Sequence, residues 1–229
     1  MSKSNPVEGQ AIVELKIAES GAEAPRRDTR TRLLRGAEWL IVHEGVHALT
    51  IRRIAAEAQA NSALIRYHFG SVGGLLFELA RCNSEPILQE QKLSLERALA
   101  SGPSLDGLLD ALLRPLWWSA AYNPGERALV VVDEIASRAD AQLRQQVWSW
   151  FAEATLAFRD ALEPLLPQLD VGELSRRLRF LGAAALDMPP RGARSPLSPH
   201  DAPLSEAEEQ ERFRQFLAFA RGALTAPAA

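Results

Sequence analysis

One cysteine, Cys82, stands in the 229 residues, so no intrachain disulfide can form and no C-x-x-C pair exists. That usage fits a reducing compartment. Lysine is also scarce: of 26 basic residues only Lys3, Lys16 and Lys92 are not arginine. No apolar run approaches the roughly 18 residues a membrane span needs. The N-terminus lacks the charged-then-apolar pattern of a signal peptide. Together these point to a cytoplasmic protein with no membrane partner. Neither G-x-S-x-G nor G-x-x-x-x-G-K-[ST] occurs, which removes the support for two large enzyme classes. No strand-like alternation is long enough to matter, and no internal repeat is visible.

What is present is ordinary in amount and uneven in distribution. Hydrophobic residues make up 47% of the chain and charged residues 24%, enough to bury a substantial core in one or two domains. The formal net charge is −3. Arg26 to Gly70, however, holds eight arginines and four acids, while Ser71 onward carries 16 basic and 21 acidic residues. A basic head on an acidic body is a footprint for phosphate contact, and the local balance matters more than the total.

Within that basic head, Thr50 to Leu76 reads as two short helices joined by a tight turn. Ile51, Ile54, Ala55 and Ala58 recur at the spacing of one buried helix face. Thr50 is placed to cap the first helix, and Asn61 or Ser62 the second. In the second helix Leu64, Ile65, His68 and Phe69 share one side. Ser62, Ala63, Arg66 and Tyr67 share the other. Small residues allow close approach to a major groove, Arg reaches guanine edges or phosphate, and Tyr reaches phosphate. An αα-hairpin that merely packs has the same outline. Upstream, a helix is expected from Asp28 or Thr29 to about Glu44, with Leu33, Leu34, Ala37, Leu40 and Ile41 as its apolar stripe and Gly45 as its stop.

The run Tyr67-His68-Phe69-Gly70-Ser71, the Ile54-Ala55 pair, Thr29-Arg30 and the Leu34-to-Ala37 segment resemble the DNA-binding domain of the TetR family of transcriptional regulators. The resemblance is close over residues 29 to 76 and loose beyond. It implies an all-α protein: a helix-turn-helix DNA-binding domain at 28–75, after a flexible tail at 1–27, and a helical ligand-binding and dimerisation domain at 76–229. It further implies a homodimeric repressor that binds a palindromic operator in double-stranded DNA and is released by a small, largely apolar effector. No cofactor or metal is implied. Candidate DNA contacts are Thr50, Arg52, Arg53, Asn61, Ser62, Ala63, Arg66, Tyr67 and His68; His68 either meets phosphate or lies buried beside Phe69. Arg26 and Arg27 end a tail that either frays or reaches DNA. Three positions depart from the family pattern. Gln59 replaces the usual turn Gly, Ala60 the usual Val, and Val72 a Lys that commonly reaches a phosphate. The last departure leaves open a helical interaction module that has lost DNA binding.

A competing motif overlaps this domain. His43-Glu44-Gly45-Val46-His47 matches H-E-x-x-H, the zinc-peptidase signature, which requires both histidines on one face of a continuous helix. Gly45 falls where the helix should stop, and no third ligand follows. A zinc-dependent hydrolase using His43, Glu44 and His47 is the enzymatic alternative, and the chain is expected not to be an enzyme.

After the hairpin, Ser71 is placed to cap a long helix reaching about Leu99, with an irregularity at Pro86. Further helices are expected near 104–121, 125–138, 140–164, 171–187 and 205–224. Five prolines mark 188–204 as a connection over the surface. Four of the five tryptophans fall between 117 and 150. Most of these rings should be core, yet such a cluster can also line a cavity. The candidate ligand contacts are Trp117, Trp118, Tyr122, Asp133, Trp148 and Phe151. The faces of the last two helices, with Leu178, Leu181, Phe213, Phe216, Leu217 and Ala220, could close a monomer core. In the resembling family the final helices pair instead across a two-fold axis, which makes these residues candidates for the dimer interface.

Overall fold

The computed structural model describes residues 28–121, 128–138, 140–187 and 205–227. The N-terminal tail, Tyr122 and the proline-rich 188–204 segment lie outside them. Every regular element among the described residues is helical. Backbone contacts divide the chain between Glu78 and Leu79, three residues beyond the boundary read from the sequence.

The first unit is a three-helix head. Helix α1 covers 28–44, and a single 3-10 turn, Val46–Ala48, follows Gly45. Then come α2, Ile51–Glu57, and α3, Ala63–Phe69. Leu33, Ala37, Leu40 and Ile41 of α1 are buried, together with Ile54 and Ala55 of α2 and Ile65 of α3. Fully burying one such aliphatic side chain is worth about 1.5–3 kcal/mol, so a few of them hold three short helices together. The expected stripes are trimmed at the edges: Leu34 is half-buried and Ile51, in the first turn of α2, is exposed. At Gly36 α1 and α2 come so close that a Cβ would sit 3.1 Å from the Ala58 nitrogen.

Helix α4, Val72–Ala100, begins in this unit and continues into the second. Ser71 caps it, its Oγ accepting from the Gly74 amide at 3.0 Å. Pro86 lies inside α4 and has no N–H for the Cys82 carbonyl, so one rung of the helix ladder is missing.

The second unit adds α5 (Leu105–Ala121), α6 (Ala128–Arg138), α7 (Ala141–Leu162), α8 (Val171–Asp187) and α9 (Glu206–Thr225). Helix α5 is apolar around most of its circumference and packs against α6, α7, α8 and α9. A helix of that composition belongs at the centre of a bundle. Helices α7 and α9 are capped by polar residues. Asp140 accepts from the Leu143 amide, and Ser205 with Glu208 forms a reciprocal capping box at α9.

The core of this unit settles the two uses offered for its apolar residues. Leu178, Leu181, Phe213, Phe216 and Ala220 are buried within the single chain, and Leu217 is half-buried against them. They therefore cannot supply the bulk of a dimer surface; α8 and α9 turn these faces onto α5. Among the described residues, the large apolar side chains that α8 and α9 leave exposed are Val171, Phe180 and Phe219, with Phe180 and Phe219 the more open at 63% and 59%. Trp117 is also core. Its ring packs on Phe213 and Phe216, and its indole N–H donates to Glu209 Oε2 at 3.2 Å. Glu209 is itself buried, and desolvation pushes its carboxyl above the ordinary range, the Trp117 hydrogen bond and the charge of Arg212 opposing.

Candidate nucleic-acid interface

The head presents one polar helix face. Asn61, Ser62, Ala63, Arg66 and Tyr67 are exposed, Tyr67 at 63%, while Ile65 behind them is fully buried. This is the division the spacing predicts. The Asn61 side chain rather than that of Ser62 makes the capping bond, its Oδ1 accepting from the Ala63 amide at 2.9 Å. His68 is half-buried between Tyr67 and Phe69, with ring centroids 5.0 and 6.1 Å away.

Two local devices fix this helix. The turn that presents it follows α2 as a Schellman motif: the Gln59 amide donates to Ala56 O and the Ala60 amide to Ala55 O. Gln59 occupies the left-handed position with φ 49°, where glycine fits without strain. At its other end α3 runs directly onto α4. Gly70 turns the chain at φ 73°, and a Cβ on Gly74 would fall 2.0 Å from the Phe69 carbonyl oxygen. Only glycine permits that approach.

The cations of the head divide into structural and available groups. Arg30 pairs with Glu78 and lies over the Phe69 ring, 5.4 Å from its centroid, bracing α1 against the end of α3. Arg53 pairs with Glu44 at 2.5 Å, linking the end of α1 to α2. The same hydrogen bond holds the Glu44 carboxyl below its usual range. Thr50 Oγ1 accepts from the Arg53 amide, the expected cap. Arg52 and Arg66 are exposed and, among the described residues, make no ion pair. Of the two arginines weighed on α2, the geometry thus leaves Arg52 the freer for phosphate. Neither bracing pair has a local sequence signal, since each joins different helices.

The H-E-x-x-H residues are arranged differently from a zinc site. Helix α1 stops at Glu44, Gly45 takes φ 85°, and His47 lies in the following turn. The His43 ring stacks on Trp39 with centroids 4.3 Å apart and its Nδ1 sits 2.8 Å from Trp39 O. Glu44 is held by Arg53. Among the described residues no group of three or more His, Cys, Asp or Glu is placed to hold a metal.

In the second unit a groove of about 600 Å³ opens between α4 and α7. Of the expected ligand contacts among the described residues, none lines it. Trp117 is core, Trp118 packs edge-on to Phe213, and Trp148 is 54% exposed. Phe151 and Asp133 are half-buried outside the groove lining. The tryptophan that does line it is Trp150, which helical spacing does not distinguish from Trp148 without knowing where α7 packs. No helix among the described residues is long and apolar enough to cross a membrane.

Comparisons with known proteins converge on this head. Residues 33–79 match the family model of bacterial regulatory proteins, tetR family. No curated protein matches the chain. Among solved structures it is similar to the TetR family transcriptional regulator PfmR from Thermus thermophilus, at 15% identity and TM-score 0.58 over 86% of this chain and 96% of that one. It is also similar to SCO4454, a TetR-family regulator from Streptomyces coelicolor, at 22% identity and TM-score 0.54 over 87% and 97%. A third is NalD, the secondary repressor of the MexAB-OprM efflux pump in Pseudomonas aeruginosa, at 18% identity and TM-score 0.54 over 84% and 95%. The domain that carries the α2–α3 hairpin is thus that of the tetR family of bacterial regulatory proteins, and the all-helical fold of the chain is similar to that of solved TetR-family structures.

Proposed function

We propose that this protein is a sequence-specific DNA-binding repressor that acts as a homodimer on a palindromic operator and is released by a small, largely apolar ligand. The observation that carries the reading is the outward face of α3: exposed small residues flank Arg66 and Tyr67, with Arg52 open on the preceding helix. Arg66 reads base edges. Tyr67 and Arg52 hold phosphates, with Thr50, Asn61, Ser62 and Ala63 at the groove edge and His68 steadying the helix from behind. The two α3 helices of a dimer enter successive major grooves roughly 34–36 Å apart. The exposed apolar residues of α8 and α9, Phe180 and Phe219, mark the face that meets the second copy. The repressor sign follows NalD among proteins of like fold.

The test is selection of a binding site from random duplexes, followed by affinities of variants on single-base changes at several salt concentrations. Arg66→Ala should flatten preference at particular positions, where a bidentate guanine contact is worth ~1–3 kcal/mol. Tyr67→Phe should weaken all sites about equally, because phosphate contacts carry little base information. Arg52→Ala should reduce the salt slope by ~0.9 per contact. A protein that selects no duplex is an interaction module instead.

A further inference from the structure

Glu44 ends α1, between His43 and His47 in the H-E-x-x-H run, where the chain turns toward α2. Its Oε1 accepts from Arg53 Nη2 at 2.5 Å across the α1–α2 corner. Neither side chain is enclosed: that of Arg53 is 45% exposed and that of Glu44 35%. Glu57, one helical turn beyond Arg53, adds a second negative charge to its surroundings. Arg53 is therefore a solvent-facing cation already satisfied by the protein's own acids. Arg52, its neighbour on the same turn, makes no ion pair among the described residues.

The place of this pair matters as much as its partners. In a helix-turn-helix the first helix crosses the phosphate backbone. Arg53 stands in the first turn of α2, and its amide is fixed by the Thr50 cap, so its side chain is the part that can swing. The guanidinium fork fits carboxylate and phosphate in the same way. An exposed carboxylate–arginine pair is weak enough to open in water. Glu44 and a backbone phosphate are thus alternative partners for one guanidinium.

We infer that Glu44 is a built-in competitor for the DNA backbone: it keeps Arg53 off phosphate and lowers affinity for every duplex alike. The inference rests on the regulator reading above. The competition is over phosphate, which carries no base information, so the loss does not depend on sequence. Base readout by Arg66 then supplies a larger share of what holds the protein at its own site.

The test titrates full-length protein with two duplexes, the site it selects and a scrambled duplex of equal length, at several salt concentrations. Glu44→Gln keeps the shape and removes the charge. It should bind both duplexes about 1.4- to fivefold more tightly per chain, the range of one exposed ion pair. Its salt slope should steepen by ~0.9 per chain as Arg53 gains a phosphate. Adding Arg53→Ala to Glu44→Gln should erase both gains. Arg53→Ala alone should leave the wild-type salt slope unchanged, in contrast to Arg52→Ala. A pair that only braces α1 against α2 predicts the opposite sign, a looser head and weaker binding in Glu44→Gln. Unchanged or weaker binding by a Glu44→Gln protein that melts as the wild type does overturns the inference. So does a salt slope that falls by ~0.9 per chain in Arg53→Ala, a result that needs no folded Glu44→Gln. A gain confined to one of the two duplexes overturns it as well. Operator binding by the wild type without the expected gains sinks the competitor alone, whereas wild type and Glu44→Gln both ignoring every duplex sinks the regulator reading and the competitor with it.

Discussion

Replacing Gln59 by glycine should stabilise the DNA-binding head. Gln59 is the C′ residue of the Schellman motif after α2, with φ 49°. An L-residue in the left-handed region costs roughly 1–2 kcal/mol from the clash of its Cβ with the following carbonyl oxygen. Glycine removes that cost but loosens the unfolded chain, which takes back ~0.4–1 kcal/mol. The Gln59 side chain is exposed, so its removal gives up little packing. The net gain is then about 1 kcal/mol, a roughly fivefold rise in protection of amides that exchange by opening the head. Hydrogen exchange at the Ala58, Gln59 and Ala60 amides, all bonded to α2 carbonyls, reads this directly. Gln59→Asn should change little, since Asn tolerates the left-handed region, and Gln59→Val should reduce protection. Equal or lower protection in Gln59→Gly, with the turn hydrogen bonds intact, would refute the strain argument.

Three further outcomes follow from other positions. Gly74→Ala drives a Cβ into the Phe69 carbonyl and should destabilise the head by ~1–3 kcal/mol in urea unfolding, whereas Gly73→Ala, whose Cβ meets only Ser71 Oγ at 3.5 Å, should be neutral or stabilising. Glu209 has a folded-state pKa above its unfolded value, so the native state holds the extra proton; stability should fall as pH rises above the ordinary carboxyl range and through the raised folded value, and Glu209→Gln should remove that slope from thermal melts. Phe219→Glu, at an exposed site, should leave the helical signal intact and convert dimer to monomer in sedimentation; a wild-type monomer at micromolar concentration would sink the α8–α9 seam.

The helices were legible because their ends carry chemical punctuation. Gly45 stops α1, Thr50 caps α2 and Ser71 caps α4. The inner and outer faces of α3 also followed from spacing, since seven residues packing on one side leave little choice. The body was harder. Trp117, Trp148 and Trp150 are equally apolar in sequence, yet one is core, one exposed and one lines the groove. That division depends on which helices are neighbours, and periodicity does not hold the information. The same gap explains why apolar faces of α8 and α9 served as interface candidates when they close the monomer core.

The missing rung at Pro86 is a point of reduced backbone support along α4. From Val72 to Pro86 the helix is about 21 Å long at 1.5 Å per residue. Helix α3 is butted against the start of that arm at Gly74 with no side chain between them, so the two travel together. A bend of about ten degrees at Pro86 would swing the far end of an arm of about 21 Å through roughly 3.7 Å, close to the 3.4 Å that separates successive bases along a strand. On the proposed reading, a small angular change in α4 would therefore be comparable in size to one base step at α3.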